Sequence, residues 1–395
     1  MLVDREAGVS HDGGEVLGLG QGGLEMLATC AAVVKSPGIS RYSPEVAYLE
    51  AAGVQVVGGL GLWLAGADRS RVMCITGTKG KSTTTAIAGG LLSGLGQRYL
   101  LAGNLGVPPW DPEVGEEYDW WVVETSSYQA VDVHVGPAVV AVTSLSEDHL
   151  PWHGGSSQTY YRDKLSLCTR PGVRHVVADG ASAQLRAQAE LLGGSVEWVD
   201  SEAGPWVRSG GVLGAHNRRN AELARRALVA LGVPEADDEE RLVSAFRDFE
   251  PLPSRLAPVG DVDGVLFVDD SISTNVLSTI AAVESFLGRR TALLVGGLER
   301  DIDYRPLAGV CRGRDLRVFT MPTNGPRVRS VLQAEGVEEV EDCPSLGEAV
   351  RRGFGWARPG GVVLLSPAAA SFDLFSDYRA RSAAFVEQVQ ALSSE

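Results

Sequence analysis

The stretch Val72-Met73-Cys74-Ile75-Thr76-Gly77-Thr78-Lys79-Gly80-Lys81-Ser82-Thr83 decides the fold. Its first four residues form a short apolar run, the pattern of a strand buried on both faces. Glycines follow, and a helical stretch then covers 82–92. A strand that turns through glycines into a helix gathers backbone N–H groups and a helix N-terminus at one point, which is an anion site. In that layout Gly77, Thr78, Lys79, Gly80, Lys81, Ser82 and Thr83 surround a nucleotide triphosphate. Lys81 supplies charge to the β- and γ-phosphates, and the Ser82 hydroxyl is a ligand for Mg²⁺. Only two residues separate Gly77 from Gly80, so the loop is shorter than the common G-x-x-x-x-G-K-[ST] form. A glycine-rich turn with an incidental lysine is the plain alternative.

Working outward, strand-like runs at 120–124 and 139–143 each end on polar residues. Strands alternating with helices predict an α/β protein whose mostly parallel sheet binds ligands at the carboxyl ends of its strands. Glu124 closes the first run and is followed by Thr125-Ser126-Ser127-Tyr128-Gln129. A carboxylate there is placed to hold Mg²⁺ beside a phosphate loop; a merely solvated strand end is the alternative. Ser146-Glu147-Asp148-His149 follows the second run, and Lys164 lies on a predicted helix fifteen residues later. A helix cap with a satisfied imidazole, and a surface lysine, are the alternatives there.

Upstream, a strand at 31–35, the turn Ser36-Pro37-Gly38, a helix at 44–52 and a strand at 54–57 read as part of another α/β unit, with residues 1–4 as a strand end. A polar, acidic stretch at 235–240 reads as a loop or helix start. A further unit opens near Pro251, with strands at 265–268, 291–295, 316–320 and 361–365 and helices at 275–286 and 325–335.

At 395 residues the chain is long enough for two or three domains. A net charge of −15 argues against a general nucleic-acid or membrane surface. The sequence has no apolar run long enough for a transmembrane helix and no signal-peptide pattern. The five cysteines, at 30, 74, 168, 311 and 343, form no C-x-x-C pair. A disulfide framework and a zinc site are therefore not expected, and a reducing cytoplasm is.

The run from Ile75 to Thr83 closely resembles the shortened loop of the Mur ligase and folylpolyglutamate synthase superfamily, whose members mostly carry asparagine where this chain has Lys79. The same order of elements continues. Glu124–Gln129 is similar to E-x-S-S-[FY]-Q, Ser146–His149 to T-E-D-H, and Tyr161-Arg162-Asp163-Lys164 to Y-R-x-x-K with one residue fewer. The resemblance implies that Glu124 and His149 ligate magnesium. It also implies that Lys164 is carbamylated and helps place a second Mg²⁺, with Glu147 and Asp148 hydrogen bonding behind the ligands. Gly214–Asn220 matches G-x-H-N-x-x-N, so Asn217 and Asn220 are expected to bind ATP. Arg255 matches the arginine of a P-H-R segment, and Asp270 an acid that contacts nucleotide.

Ser366–Asp373 resembles the S-P-A-x-A-S-x-D loop of the glutamate-adding member, which implies a glutamate site at Ser371 and Phe372. Thr274 matches a glutamate-contacting threonine, and Arg300 stands where that member usually has lysine. Ser36, Pro37 and Gly38 resemble the loop that approaches the uridine end of the nucleotide sugar, while Asn104 and Gln129 match further substrate contacts. The resemblance covers nearly the whole chain and implies a three-domain architecture. A partial Rossmann-like domain at 1–68 binds the UDP-substrate, a central P-loop ATPase domain occupies 69–251, and a Rossmann-like amino-acid domain occupies 252–395.

The implied activity is ATP-dependent ligation of glutamate to UDP-N-acetylmuramoyl-L-alanine through an acyl phosphate, in peptidoglycan precursor synthesis, by a cytoplasmic monomer that binds neither nucleic acid nor membrane. Asp269-Asp270-Ser271-Ile272-Ser273-Thr274 and the Arg300 segment lean toward the variant that adds L-glutamate. The alternatives are the D-glutamate enzyme, a folylpolyglutamate-synthase-like ligase, and a degenerate ATP-binding module. Members of this family normally begin one strand–loop–helix earlier than Asp4-Arg5, so Met1 is expected to be a misassigned start.

Overall fold

The computed structural model describes residues 2–4, 16–115 and 117–393. Met1, read above as part of a strand end, and Arg5 lie outside them. The chain divides into two compact units, Met1–Gly204 with Arg219–Ala245, and Pro205–Arg218 with Phe246–Glu395.

The first unit contains two parallel strand pairs. One is β1 (Leu2–Asp4) with β2 (Val16–Gly18), and the other is β3 (Ala32–Lys35) with β4 (Gln55–Gly58). The helix Pro44–Ala51 joins β3 to β4, starting at an N-cap Ser43 whose side chain accepts from Val46 N–H, with proline in the first turn. Val46, Leu49, Val54 and Val56 are the buried residues of this small core.

The main sheet comprises β5 (Val72–Thr76), β6 (Tyr99–Gly103), β7 (Trp120–Glu124), β8 (Val139–Val142), β9 (His175–Asp179) and β10 (Val196–Val199). Their order is β10-β9-β8-β5-β7-β6, and every pairing is parallel. All residues of β5 and β8 are buried, as the continuous apolar runs predict for strands covered on both faces. The structure adds β6, β9 and β10, at and beside the sheet edges. Their partly exposed residues dilute the apolar signal that marks β5 and β8.

This order has one consequence for function. Strands β8, β5 and β7 are direct neighbours running the same way, so their carboxyl ends lie side by side. Segments separated by some fifteen to seventy residues in sequence, 76–83, 124–129 and 143–149, are thereby brought to one end of the sheet.

The second unit holds β11 (Ala257–Val262), β12 (Val265–Asp269), β13 (Thr291–Gly296), β14 (Leu316–Met321), β15 (Val340–Asp342) and β16 (Val362–Leu365). They are ordered β11-β12-β16-β13-β14-β15, and only β11 runs antiparallel to its neighbour. Two buried clusters flank it, one around Leu293, Val295 and Val318 and one around Phe267, Leu294 and Phe385. No helix among the described residues is long and apolar enough to cross a membrane.

Candidate active site

The loop after β5 takes a conformation that only glycine accepts. Gly77 has φ +135°, and a β-carbon there would overlap the Thr143 hydroxyl and come within 2.9 Å of the Ser144 nitrogen. Thr78 N–H donates to Ser144 O at 2.8 Å, and the Thr78 hydroxyl lies 3.0 Å from both Ser146 O and the Tyr160 hydroxyl. The loop is therefore fastened to the segment after β8. Gly80, at φ +89°, caps the helix Lys81–Gly94, and a β-carbon there would come within 3.0 Å of Asn220. Asn220 thus stands against the loop. Lys81 opens the helix, and its ammonium donates to Gly77 O at 2.9 Å and Thr78 O at 3.1 Å. Ser82 is buried in the first turn and Thr83 follows it, half-buried.

Lys79 has a definite partner: its ammonium is 3.2 Å from Asp148 Oδ2. The cation that distinguishes this loop therefore braces the segment leading to His149. Both side chains are partly exposed, so the pair contributes little to stability, on the order of 1 kcal/mol or less.

Glu124 ends β7 with 1% of its surface exposed. Asn104 Nδ2 donates to its Oε1 at 3.1 Å, while Oε2 has no hydrogen-bond partner among the described residues. A buried carboxylate oxygen without a partner is costly unless something cationic meets it. His149 sits at φ 50°, with its ring 5.3 Å from Tyr128 and its Nε2 3.7 Å from Asp148. Partial burial lowers its pKa against the pull of Asp148, and Lys164, Lys79 and Lys81 lower it further. The neutral imidazole this favours is the form that ligates metal.

Lys164 is the least expected in its surroundings. It lies on the helix Ser157–Leu165 with 2% exposure, donates to Gly77 O at 2.9 Å and sits 5.0 Å from the Tyr160 ring centre. Burial first, and then Lys81, drive its pKa well below the usual lysine value, against the opposing pull of Asp148 and Glu124. A surface lysine, the alternative left open above, is excluded. Among the described residues no three His, Cys, Asp or Glu side chains form a metal site. The donor set suits Mg²⁺ only if the Ser82 hydroxyl, a carbamate on Lys164 or phosphate oxygens join Glu124 and His149.

The segment Ser36-Pro37-Gly38 is a turn closed by Ile39 N–H donating to Ser36 O at 3.1 Å. It is anchored by a buried ion pair that sequence reasoning missed: Lys35 to Asp132 at 2.8 Å, with Arg41 2.9 Å from the same carboxylate. Asp132 lies after a helical turn and carries no local signal of its role. Gln129 spends its carbonyl oxygen on a capping box with Ser126.

In the second unit Arg300 lies 6.0 Å from the Phe372 ring centre, and the segments carrying them are bridged by Leu298 N–H to Ala370 O at 2.9 Å. Ser371 is buried, while Phe372 and Thr274 are exposed. Asn217 donates to Leu213 O at 3.0 Å, Arg255 follows the Ser254 turn, and Asp270 is enclosed. Asp270 accepts from Leu256 N–H at 3.2 Å, Ser273 at 2.5 Å and Ser366 at 2.7 Å. Burial raises its pKa to about 7 even so. The folded state therefore holds this proton more tightly than the unfolded chain. The stability this contributes is complete below the unfolded value and is lost as pH rises through about 7. The thermal midpoint is expected to fall by a few degrees between about pH 5.5 and 8.5, and Asp270→Asn to flatten that fall; scanning calorimetry of both proteins across this range checks it.

A phosphate loop at the head of a parallel sheet, with a carboxylate and an imidazole after neighbouring strands and a buried lysine on the helix that follows, defines a P-loop nucleotide-binding α/β protein. Comparison with known proteins narrows this. Residues 75–202 match the Mur ligase middle domain. The chain is 39% identical over 389 residues to the UDP-N-acetylmuramoyl-L-alanine--L-glutamate ligase of Xanthomonas oryzae pv. oryzae, covering 90% of this chain and 81% of that protein. It is 39% identical over 392 residues to the protein of that name from Xylella fastidiosa (strain 9a5c), covering 91% and 82%. Among solved structures it is similar to UDP-N-acetylmuramate-alanine ligase MurC from Thermotoga maritima, with a TM-score of 0.60 at 19% identity over 91% of this chain and 85% of that one. The chain belongs to the Mur ligase family, and its α/β fold is that family's fold.

Proposed function

We propose that this chain is an ATP-dependent ligase that joins the amine of L-glutamate to the free carboxylate of UDP-N-acetylmuramoyl-L-alanine. The observation that carries the reading is the meeting of Lys81, Glu124, His149 and Lys164 at the ends of β5, β7, β8 and the helix that follows. Relatives named for this reaction support the substrates.

The chemistry must bring two polyanions, ATP and a carboxylate, within bonding distance. Backbone N–H groups of 77–83 and the N-terminus of the Lys81–Gly94 helix receive the triphosphate. Lys81 is held on the loop carbonyls within reach of it. Glu124, His149, Ser82 and a carbamylated Lys164 would hold Mg²⁺, which when bound offsets the charge of nucleotide and carboxylate. The acceptor carboxylate oxygen attacks the γ-phosphorus and ADP leaves. Glutamate's neutral amine then attacks the acyl carbon, and phosphate departs with the transferred oxygen. Asn104 and Gln129, with Ser36–Gly38, hold the acceptor; Arg300, Thr274, Ser371 and Phe372 hold glutamate. Asn217, Asn220, Arg255 and Asp270 are assigned to the nucleotide. Positioning and fixed charge supply most of the acceleration. We place the enzyme in the cytoplasm, as a monomer serving peptidoglycan precursor synthesis.

The test is phosphate release from ATP with UDP-N-acetylmuramoyl-L-alanine, supplying D- and L-glutamate separately. L-glutamate is expected to support turnover at least tenfold better. Preference for D-glutamate would move the chain to the other stereochemical class. Release with neither enantiomer would end the reading.

A further inference from the structure

One buried polar chain near the site serves none of the roles above. His153, with none of its surface exposed, lies with Nδ1 2.6 Å from Asp163 Oδ2 and Nε2 3.1 Å from Ser127 Oγ. The other oxygen of Asp163 accepts from the Tyr42 hydroxyl at 2.7 Å. A carboxylate only accepts, so Nδ1 carries the proton toward Asp163, and in the neutral ring Nε2 accepts from Ser127. Ser127 and Asp163 are also buried, so the chain is shielded from water along most of its length. Trp152, Tyr128 and Tyr160 enclose the imidazole, with ring centres at 4.6, 5.8 and 5.0 Å.

The ends of this chain are informative. Ser127 stands three residues after Glu124, Asp163 immediately precedes Lys164, and Tyr42 follows the Ser36–Ile39 turn. A second tie runs parallel to it, with Ser40 donating to Trp152 O at 2.6 Å. Three segments to which different tasks fall are thus joined by consecutive hydrogen bonds. A network buried at His153, Asp163 and Ser127 is costly unless it is fully satisfied, and when satisfied it holds its members rigidly.

We propose that Tyr42, Asp163, His153 and Ser127 form a positioning relay that ties the Ser36–Ile39 substrate loop to the placement of Glu124 and Lys164. None of the four touches the reacting atoms. His153 acts through Ser127 on the strand-end carboxylate and through Asp163 on the lysine. Tyr42 makes the arrangement depend on the loop. Its phenol stays protonated because burial and the Asp163 carboxylate both raise its pKa, so it remains a donor at any working pH.

The kinetic half of the proposal rests on the ligase reading. The test uses the full chain with Tyr42→Phe, Ser127→Ala and the double variant. Each change deletes one hydroxyl at opposite ends of the relay. Each single variant is expected to lower kcat roughly tenfold with ATP affinity unchanged, and the double variant to be little worse than either, as for groups acting as a unit. A double variant whose loss equals the product of the singles, or a single with undiminished kcat, overturns the relay. Hydrogen exchange reads the same tie without turnover. Tyr42→Phe should speed exchange in 124–130 as well as in 160–165, and unchanged protection of 124–130 overturns the proposal even if the wild-type chain ligates nothing.

Discussion

Replacing Lys164 with methionine is expected to lower the ligation rate by roughly a hundred- to a thousandfold while ATP affinity changes by less than about tenfold. The argument begins with burial. An ammonium enclosed to 2% exposure beside Lys81 is in the wrong place for a charge, and its pKa falls well below the usual lysine value for that reason. The neutral amine so favoured is the form that adds CO₂. The resulting carbamate would reverse the sign of the side chain, removing its repulsion from Lys81 and supplying an oxygen ligand beside Glu124. Methionine fills the space but can do neither. Steady-state kinetics with a separate nucleotide-binding measurement checks this, and activity should also decline when dissolved CO₂ and bicarbonate are stripped from the buffer. Undiminished turnover of the methionine variant would remove Lys164 from the mechanism.

The second large effect is expected at Gly77. Alanine there must adopt φ +135° and place its methyl group into the Thr143 hydroxyl and the Ser144 backbone. The loop cannot yield locally, because Thr78 is bonded to Ser144 and Ser146, and Gly77 O receives both Lys81 and Lys164. Moving Gly77 displaces both cations together with the N–H groups proposed to receive phosphate. Gly77→Ala is expected to weaken ATP binding by roughly a hundredfold or more, as read by calorimetric titration. The atoms nearest the added methyl group belong to Thr143 and Ser144 rather than to the strand residues of β5, and far-ultraviolet circular dichroism should change little.

These two residues also mark what the sequence made legible. Gly77–Thr83 can be read locally because a strand, a glycine turn and a helix N-terminus are consecutive in the chain. Glu124 and His149 are legible as polar residues closing apolar runs, once parallel topology is assumed. Lys164 was visible only through resemblance, since nothing in 157–165 announces that its face is buried. Lys79 stood without a reason in the sequence, and its pairing with Asp148 depends on β5 and β8 being neighbours. The Lys35–Asp132 pair and the His153 relay were not legible at all. Their partners lie some ten to over a hundred and twenty positions apart, and no periodicity encodes these contacts. Residues such as Trp120–Glu124 were bounded correctly because their apolar run ends abruptly, whereas the edge strands β6 and β10 carry mixed exposure and a weaker pattern.

The account depends on the acceptor carboxylate taking the γ-phosphoryl group before glutamate arrives at the acyl carbon. The most direct measurement starts from UDP-N-acetylmuramoyl-L-alanine labelled with ¹⁸O in its free carboxylate, incubated with ATP, Mg²⁺ and L-glutamate, with the released phosphate analysed by mass spectrometry. One labelled oxygen should appear in each phosphate formed during ligation. Phosphate that emerges unlabelled while the amide accumulates would contradict it.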